Sequence, residues 1–370
     1  MADELLPDVK CALVHDWLTG MRGGEKCLDV FCELLPRADL FTLLHIKGRM
    51  SEPIEAMNIR TSFVQKLPFA ESMYRHYLPV FPYAIERFDF SEYDLIFSSS
   101  HCVAKGARPR PGALHICYCY SPMRYVWDMF DAYFGEHRTG RLKRAVIGKI
   151  AARLREWDRR TCDRVDKFVA ISEHVRKRIQ RNYGRDADVI HPPVDCSFFR
   201  SVAAPEEHYL VASAFAPYKR IDLAIETFNE LGKPLKVIGS GQDEKRLRAM
   251  AGPNIEFLGS VSDEALREAY SRCRAFIFPP EEDFGIMPIE AMACGRPVIA
   301  YGVGGAVETV TPEIGIFFPE QTVGALKKAI EEFERRESDF HPDRARAHAE
   351  RFDRPVFKKK VADYLRASLR

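Results

Sequence analysis

Short apolar runs, cut off by glycine, proline or polar clusters, recur along this chain, and the residues between them carry helical spacing. Such runs read as strands buried on both faces, the habit of parallel sheets. Lys10-Cys-Ala-Leu-Val-His15 is the first and leads through Asp16 to Gly24 into a helix from about Glu25 to Leu35. Further strands are expected at Tyr93–Ser98, His115–Tyr120, Lys167–Ile171 and, after a helix ending near Tyr183, at Val189–Pro193. The second half repeats the alternation: Tyr209–Ser213, Leu235–Ile238, Ile255–Leu258, Ala275–Phe278, Val298–Tyr301 and Gly315–Phe318, with helices between them. Residues 36–92 are less legible; the aromatic- and proline-rich stretch Phe63–Pro82 reads as helices and loops.

Alternating strands and helices predict two α/β domains, each a parallel sheet covered on both faces, with ligands at the carboxyl ends of the strands. Val194–Glu207 lacks periodicity, contains Pro205 and reads as the linker. We therefore expect domains over 1–200 and 201–352, and a basic terminal helix over 353–370. A chain of 370 residues is long enough for two such cores.

Composition excludes several partners. Charged residues make up 29% and nearly cancel to +2, so no bulk charge draws the chain to nucleic acid. Ten cysteines lie scattered without paired spacing and read as small core residues of a reducing compartment. Met1–Pro7 is acidic and short, unlike a signal peptide, and no apolar run nears the ~20 residues of a membrane span. The expected location is cytoplasmic, with peripheral contact at the inner face of the cell membrane as an addition. For that contact the candidate is Arg138–Arg160, where Leu142, Ile147, Ile150, Leu154 and Trp157 recur at near-helical spacing among arginines and lysines.

The densest chemistry lies in PPEEDFGIMPIEAMACGRP, residues 279–297. A strand stops at Pro279; an acidic loop with Gly285 follows; a helix runs from Pro288 to Cys294 and is closed by Gly295 and Pro297. Amides near Gly285, Ile286 and Met287 are then unpaired and form an anion site. Glu282 and Glu290 flank it, which suits a ligand carrying both phosphate and hydroxyl groups, such as a nucleotide sugar. Other candidates fall after strands of the same half: Lys219 and Arg220, Gly239 and Gly241, and Gly304-Gly305. In the first half, Gly23-Gly24 opens a helix after a strand, but without the G-x-G-x-x-G of a dinucleotide site.

The E-x-F-G-I-x-P-x-E-A-M-A-x-G-x-P-V-I pattern around Glu282 and Glu290 resembles the Glu-x7-Glu signature of retaining glycosyltransferases of family 4. The resemblance covers nearly the whole chain and implies the GT-B fold: two Rossmann-like domains facing each other across a cleft, the terminal helix crossing back to the first. It places Glu282 beside the donor sugar, Glu290 on the nucleotide ribose, Lys219 on the donor diphosphate, and Gly23-Gly24 near diphosphate and acceptor. Ser121-Pro-Met-Arg-Tyr-Val-Trp-Asp128 resembles the H-x-P-M-R-Y-x-W-D stretch of bacterial mannosyltransferases of the family, making Arg124 and Trp127 acceptor-side candidates, together with Asp16, which opens the Gly23-Gly24 loop. Where relatives carry a histidine at the end of this strand, the chain has Tyr120, to which the role at the donor sugar would pass. Where they carry an arginine before the conserved lysine it has Ala214, and Arg220 is expected to supply the missing cation.

The resemblance thus implies transfer of a hexose, taken to be mannose from GDP-mannose, to a glycan or lipid-linked acceptor in surface-polysaccharide assembly. It implies no cofactor and no metal; Asp186-Ala187-Asp188, a D-x-D match, is assigned to a turn. A UDP-sugar donor, a nucleotide-sugar 2-epimerase and a non-catalytic nucleotide-binding protein remain the alternatives.

Overall fold

The computed structural model describes residues 5–6, 8–128, 130 and 140–369, with the side chains of 141–143 also left aside. The chain forms two compact units, residues 1–192 with 357–370, and residues 193–356.

Unit 1 holds a seven-stranded sheet: β1 (Cys11–His15), β2 (Asp39–Thr42), β3 (Asn58–Thr61), β4 (Leu95–Ser100), β5 (Leu114–Cys119), β6 (Lys167–Ala170) and β7 (Asp188–Val189). Their order is β3-β2-β1-β4-β5-β6-β7, every pair parallel. The order reverses direction between β1 and β4, where Val14 lies opposite Ser98 and His15 opposite Ser99. β2 and β3 fall within the stretch the sequence left unread. β3 is an edge strand with three of its four residues exposed, so no apolar run marks it. The Phe63–Glu86 stretch is a succession of short helical turns, as expected. The Arg141–Arg160 helix sinks Ala151, Leu154 and Trp157 into the core of this unit.

Unit 2 holds six strands: β8 (Tyr209–Ala212), β9 (Leu235–Ile238), β10 (Ile255–Gly259), β11 (Phe276–Phe278), β12 (Val298–Tyr301) and β13 (Gly315–Phe318). Their order is β10-β9-β8-β11-β12-β13, again all parallel, with the reversal between β8 and β11. Two doubly wound parallel sheets with this topology make an α/β, GT-B fold. The central strands are apolar because helices cover both faces; the Ile221–Leu231 helix alone buries Ile221, Leu223, Ala224, Ile225 and Phe228.

The terminal Arg354–Ser368 helix belongs to unit 1 from Phe357 onward. Phe357 sits 5.7 Å from the Phe31 ring and 5.9 Å from that of Tyr118, and the Tyr364 hydroxyl donates to Asp188 at 2.9 Å. Asp186 instead takes the Arg176 guanidinium, at 2.9 Å from Nε. Both carboxylates of the D-x-D match thus bind side chains of their own unit.

Candidate functional site

Ligands of doubly wound sheets bind beyond the strand ends where the order reverses. In unit 2 that point is flanked by the loop after β8, carrying Lys219, and the loop after β11, carrying Glu282. Pro217–Lys219 forms a 3₁₀ turn that turns the lysine toward the second loop. Its Nζ donates to Glu282 Oε1 in an ion pair whose side chains are 19% and 11% exposed. The sequence placed each residue at a strand end; their pairing across 63 positions is new from the structure.

Glycine contacts hold the Glu282 loop. Gly305 N donates to the Glu282 carbonyl at 2.7 Å, and a Cβ on Gly305 would stand 2.3 Å from Phe284 Cα. No side chain fits there. Gly239 plays the same part beside β8: its φ is +138°, and a Cβ would lie 1.8 Å from the Ser213 carbonyl oxygen. Gly241 packs on Phe215 in the same way, 2.5 Å from its carbonyl oxygen to an added Cβ. Gly305 thus brings the loop after β12 against the Glu282 loop, and Gly239 and Gly241 bring the loop after β9 against the one after β8, each at backbone distance.

The helix beyond Glu282 spans Ile286–Ala293, with Gly285 (φ 89°) as its cap. It thus starts two residues before the expected Pro288, which occupies the third helical position, still within the turn where a missing N–H costs nothing. Ile286 and Met287 are consequently first-turn residues whose amides have no intrahelical acceptor. Glu290 lies further in and is 4% exposed, receiving the Tyr270 hydroxyl at 3.1 Å.

Arg220 has a left-handed backbone (φ 53°) at the N-terminus of the Ile221–Leu231 helix. Its guanidinium meets Asp222 at 3.4 Å and the Gln321 side chain at 3.3 Å. Gln321 donates to the Pro279 carbonyl at 2.7 Å, so Arg220 is tied through it to the root of the Glu282 loop. Nothing in the sequence signalled Gln321, since its two partners lie far away along the chain.

In unit 1 the first-half candidates take inward roles. Asp16 is fully buried, and its carboxylate accepts the backbone N–H groups of His101, Cys102, Val103 and Ala104 at 2.7, 2.9, 2.6 and 2.8 Å. It therefore shapes the turn after β4. Gly23 and Gly24 start the Gly23–Leu34 helix, two residues earlier than expected. The Tyr120 hydroxyl donates to the Gly24 carbonyl at 2.7 Å and pairs with Ser99 Oγ at 2.7 Å; Ser99 in turn meets His15 Nδ1 at 3.1 Å. Burial holds the phenol well above its ordinary pKa. Tyr120 thus anchors the glycine turn, and its hydroxyl is already engaged on both sides. The Trp127 indole N–H donates to Asp158 at 2.8 Å, which also takes Tyr183 at 2.8 Å and the buried Lys105 at 3.0 Å. Arg124 lies at the start of the same turn, half-buried, its carbonyl receiving the Asp128 amide at 3.1 Å.

Residues 22–198 match the family described as Glycosyltransferase Family 4, and residues 198–351 match Glycosyl transferases group 1. The chain belongs to the GT-B glycosyltransferases of family 4. An uncharacterized glycosyltransferase of Methanocaldococcus jannaschii is 29% identical over 174 residues, covering 45% of this chain and 48% of that protein. A GDP-mannose-dependent monoacylated alpha-(1-6)-phosphatidylinositol monomannoside mannosyltransferase of Corynebacterium glutamicum is 29% identical over 199 residues, 45% of this chain and 52% of its own. The chain spans about half the length of these curated relatives. Among solved structures, Anabaena HepE in complex with UDP and glucose superposes with a TM-score of 0.69 at 18% identity, covering 96% of this chain and 99% of its own. At that identity the likeness speaks for the GT-B fold of this family-4 chain alone.

Proposed function

We propose that this protein is a retaining glycosyltransferase that moves mannose from GDP-mannose to a glycan or lipid-linked acceptor without a catalytic metal. The observation that carries the reading is the Lys219–Glu282 pair at the reversal point of unit 2, beside first-turn amides and the buried Glu290. Sugar transfer from a nucleotide needs a diphosphate leaving group stabilised while positive charge develops at the anomeric carbon. Lys219 and the amides of Ile286 and Met287 suit the diphosphate, Glu290 a ribose hydroxyl, and Glu282 the hydroxyls of the sugar. The lysine is the charge that responds to the leaving group; Glu282 holds it in place until a donor arrives.

GDP-mannose is favoured over other donors by the relatives whose names carry it, the Corynebacterium protein above and an alpha-mannosyltransferase of Mycolicibacterium smegmatis among them. A UDP-sugar is the competing donor. The 2-epimerase alternative would convert the donor with no acceptor, and a non-catalytic binder would turn over nothing. A panel of GDP- and UDP-sugars, scored by thermal shift and then by nucleotide release, separates these readings. Stabilisation by GDP-mannose together with release of GDP is expected; stabilisation by UDP-sugars alone would reassign the donor.

Peripheral membrane contact is a second element of the proposal, supported by exposed apolar residues in unit 1. Phe69 (76% exposed), Met73, Val80 and Tyr83 lie close together in sequence with Lys66, Arg75 and Arg87, and Val146 is exposed on the Arg141–Arg160 helix. Co-sedimentation with anionic but not neutral vesicles is expected; equal absence from both would remove this element.

A further inference from the structure

Arg220 and Gln321 make a contact within unit 2 whose chemistry the proposed reaction leaves unused. Gln321 follows β13, which β12 separates from β11 in the sheet, yet its side chain reaches the loops after both β8 and β11. Its Nε2 donates to the Pro279 carbonyl at 2.7 Å, at the root of the loop that carries Glu282. Its Oε1 accepts from Arg220 Nη1 at 3.3 Å, and the Gln321 backbone carbonyl accepts from Nη2 at 3.5 Å. The two ends of an amide are not alike: a carbonyl partner demands the NH₂ group, and a guanidinium demands the oxygen. Pro279 and Arg220 together therefore fix the amide in one orientation.

These contacts orient Arg220 without binding it tightly. Both acceptors on Gln321 are neutral and lie at the long end of the hydrogen-bond range. The carboxylate beside Arg220 is Asp222, 3.4 Å from Nε, and its Oδ1 is sealed from water without a hydrogen bond. Asp222 also faces Arg246, at 4.0 Å, so its charge is divided between two cations. Lys219 differs, since the Glu282 carboxylate takes its Nζ directly. A phosphate oxygen outcompetes a neutral amide oxygen for a guanidinium, because the bond is then charge-assisted on both sides. Arg220 also stands in a left-handed backbone (φ 53°) at the N-terminus of the Ile221–Leu231 helix. That conformation is costly for a long side chain, and a cation at a helix N-terminus is unfavourable until an anion joins it.

We infer that Gln321 is a positioning residue for the donor diphosphate: its neutral, long contact presents the Arg220 guanidinium in a form that a phosphate can take over, while its NH₂ group steadies the loop of Glu282. Gln321 acts through Arg220 and Pro279 and does not itself touch the donor; the inference rests on the glycosyl-transfer reading. The chemistry of the place calls for an amide. A glutamate there would repel the Pro279 carbonyl and pair with Arg220 as Glu282 does with Lys219. A methionine has similar length and serves neither partner.

The test is titration calorimetry of GDP, GMP, UDP and UMP on the full chain. The proteins are the wild type, Gln321→Glu and Gln321→Met, and the same three in an Arg220→Gly background, which suits the left-handed backbone. For the diphosphate that binds, Gln321→Glu should raise the Kd about tenfold and Gln321→Met about threefold, with the matching monophosphate within about twofold of wild type. Gln321→Met adds no charge and gives the same comparison where glutamate disturbs folding. Neither substitution should weaken diphosphate binding further once Arg220 is replaced by glycine. A purely structural glutamine would weaken monophosphate and diphosphate alike, and that result overturns this inference alone. So does a loss of the same size in the Arg220→Gly background, or an unchanged diphosphate Kd in both single variants. No binding of either diphosphate to the wild type overturns the functional reading and this inference with it.

Discussion

Glu282→Gln separates the two tasks assigned to the Lys219–Glu282 pair. In the free protein the lysine is bound to the carboxylate, and both side chains are largely shielded from water. A diphosphate must compete with that carboxylate for Nζ. A hydrogen bond to a charged group is worth about 1.5–3 kcal/mol, of which exchange for a neutral amide returns a part, about 1 kcal/mol. Glu282→Gln is therefore expected to tighten GDP binding roughly fivefold while transfer falls about tenfold to a hundredfold, because the sugar loses a charged acceptor. Titration calorimetry with GDP, and turnover of GDP-mannose measured by nucleotide release, give the two numbers. GDP affinity that falls tenfold or more would show that Glu282 itself supports nucleotide binding. Unchanged turnover would remove it from the sugar site.

Glu290→Ala should weaken GDP binding several-fold to about a hundredfold, and Tyr270→Phe, which removes the hydroxyl holding Glu290, should do so more mildly; equal GDP affinity in both would displace Glu290 from the ribose. Arg220→Gly relieves a left-handed backbone and should raise stability by about 1 kcal/mol, read from the denaturation midpoint, while donor turnover falls if its guanidinium serves the diphosphate. Turnover at the wild-type level would leave Lys219 acting alone. Burial lowers the His115 pKa to about 4, against an ordinary 6.5, its ring being held neutral between Ser98 and the Arg164 carbonyl. The folded state binds fewer protons than the unfolded one in that interval, so this contribution is present above pH 6.5 and lost as pH falls through about 4. Its size is about 3 kcal/mol, and melts of His115→Asn should show a correspondingly flatter pH dependence; an unchanged slope would refute the assignment. Finally, turnover should survive EDTA, and loss of activity restored by magnesium or manganese would overturn the metal-independent mechanism.

Most strands were legible because they are buried on both faces and bounded by glycine or proline; β8, β9 and β12 fall within a residue of their expected limits. β3 was not, since an exposed edge strand such as Asn-Ile-Arg-Thr carries no apolar signal. The helix at Ile286 begins earlier than expected because proline is tolerated throughout the first turn, so Pro288 marks that turn without fixing its first residue. In the site, the sequence offered Lys219, Glu282 and Glu290 as candidates, whereas their side-chain partners remained hidden. Asp16 reads as an exposed polar residue after a strand until the amides of residues 101–104 surround it. Trp127 and Tyr120 likewise become anchors only through Asp158, Gly24 and Ser99, which lie 21 to 96 positions away.

The most direct measurement is ¹H NMR of the wild type and of Lys219→Ala and Glu282→Gln with GDP-mannose, following the anomeric signal as nucleotide is released. The account predicts that the wild type liberates GDP with the product first appearing in the α configuration, the configuration of the donor, and that both variants lose most of this turnover while remaining folded. A β product would contradict retention. Wild-type turnover in folded Lys219→Ala and Glu282→Gln would contradict the site itself.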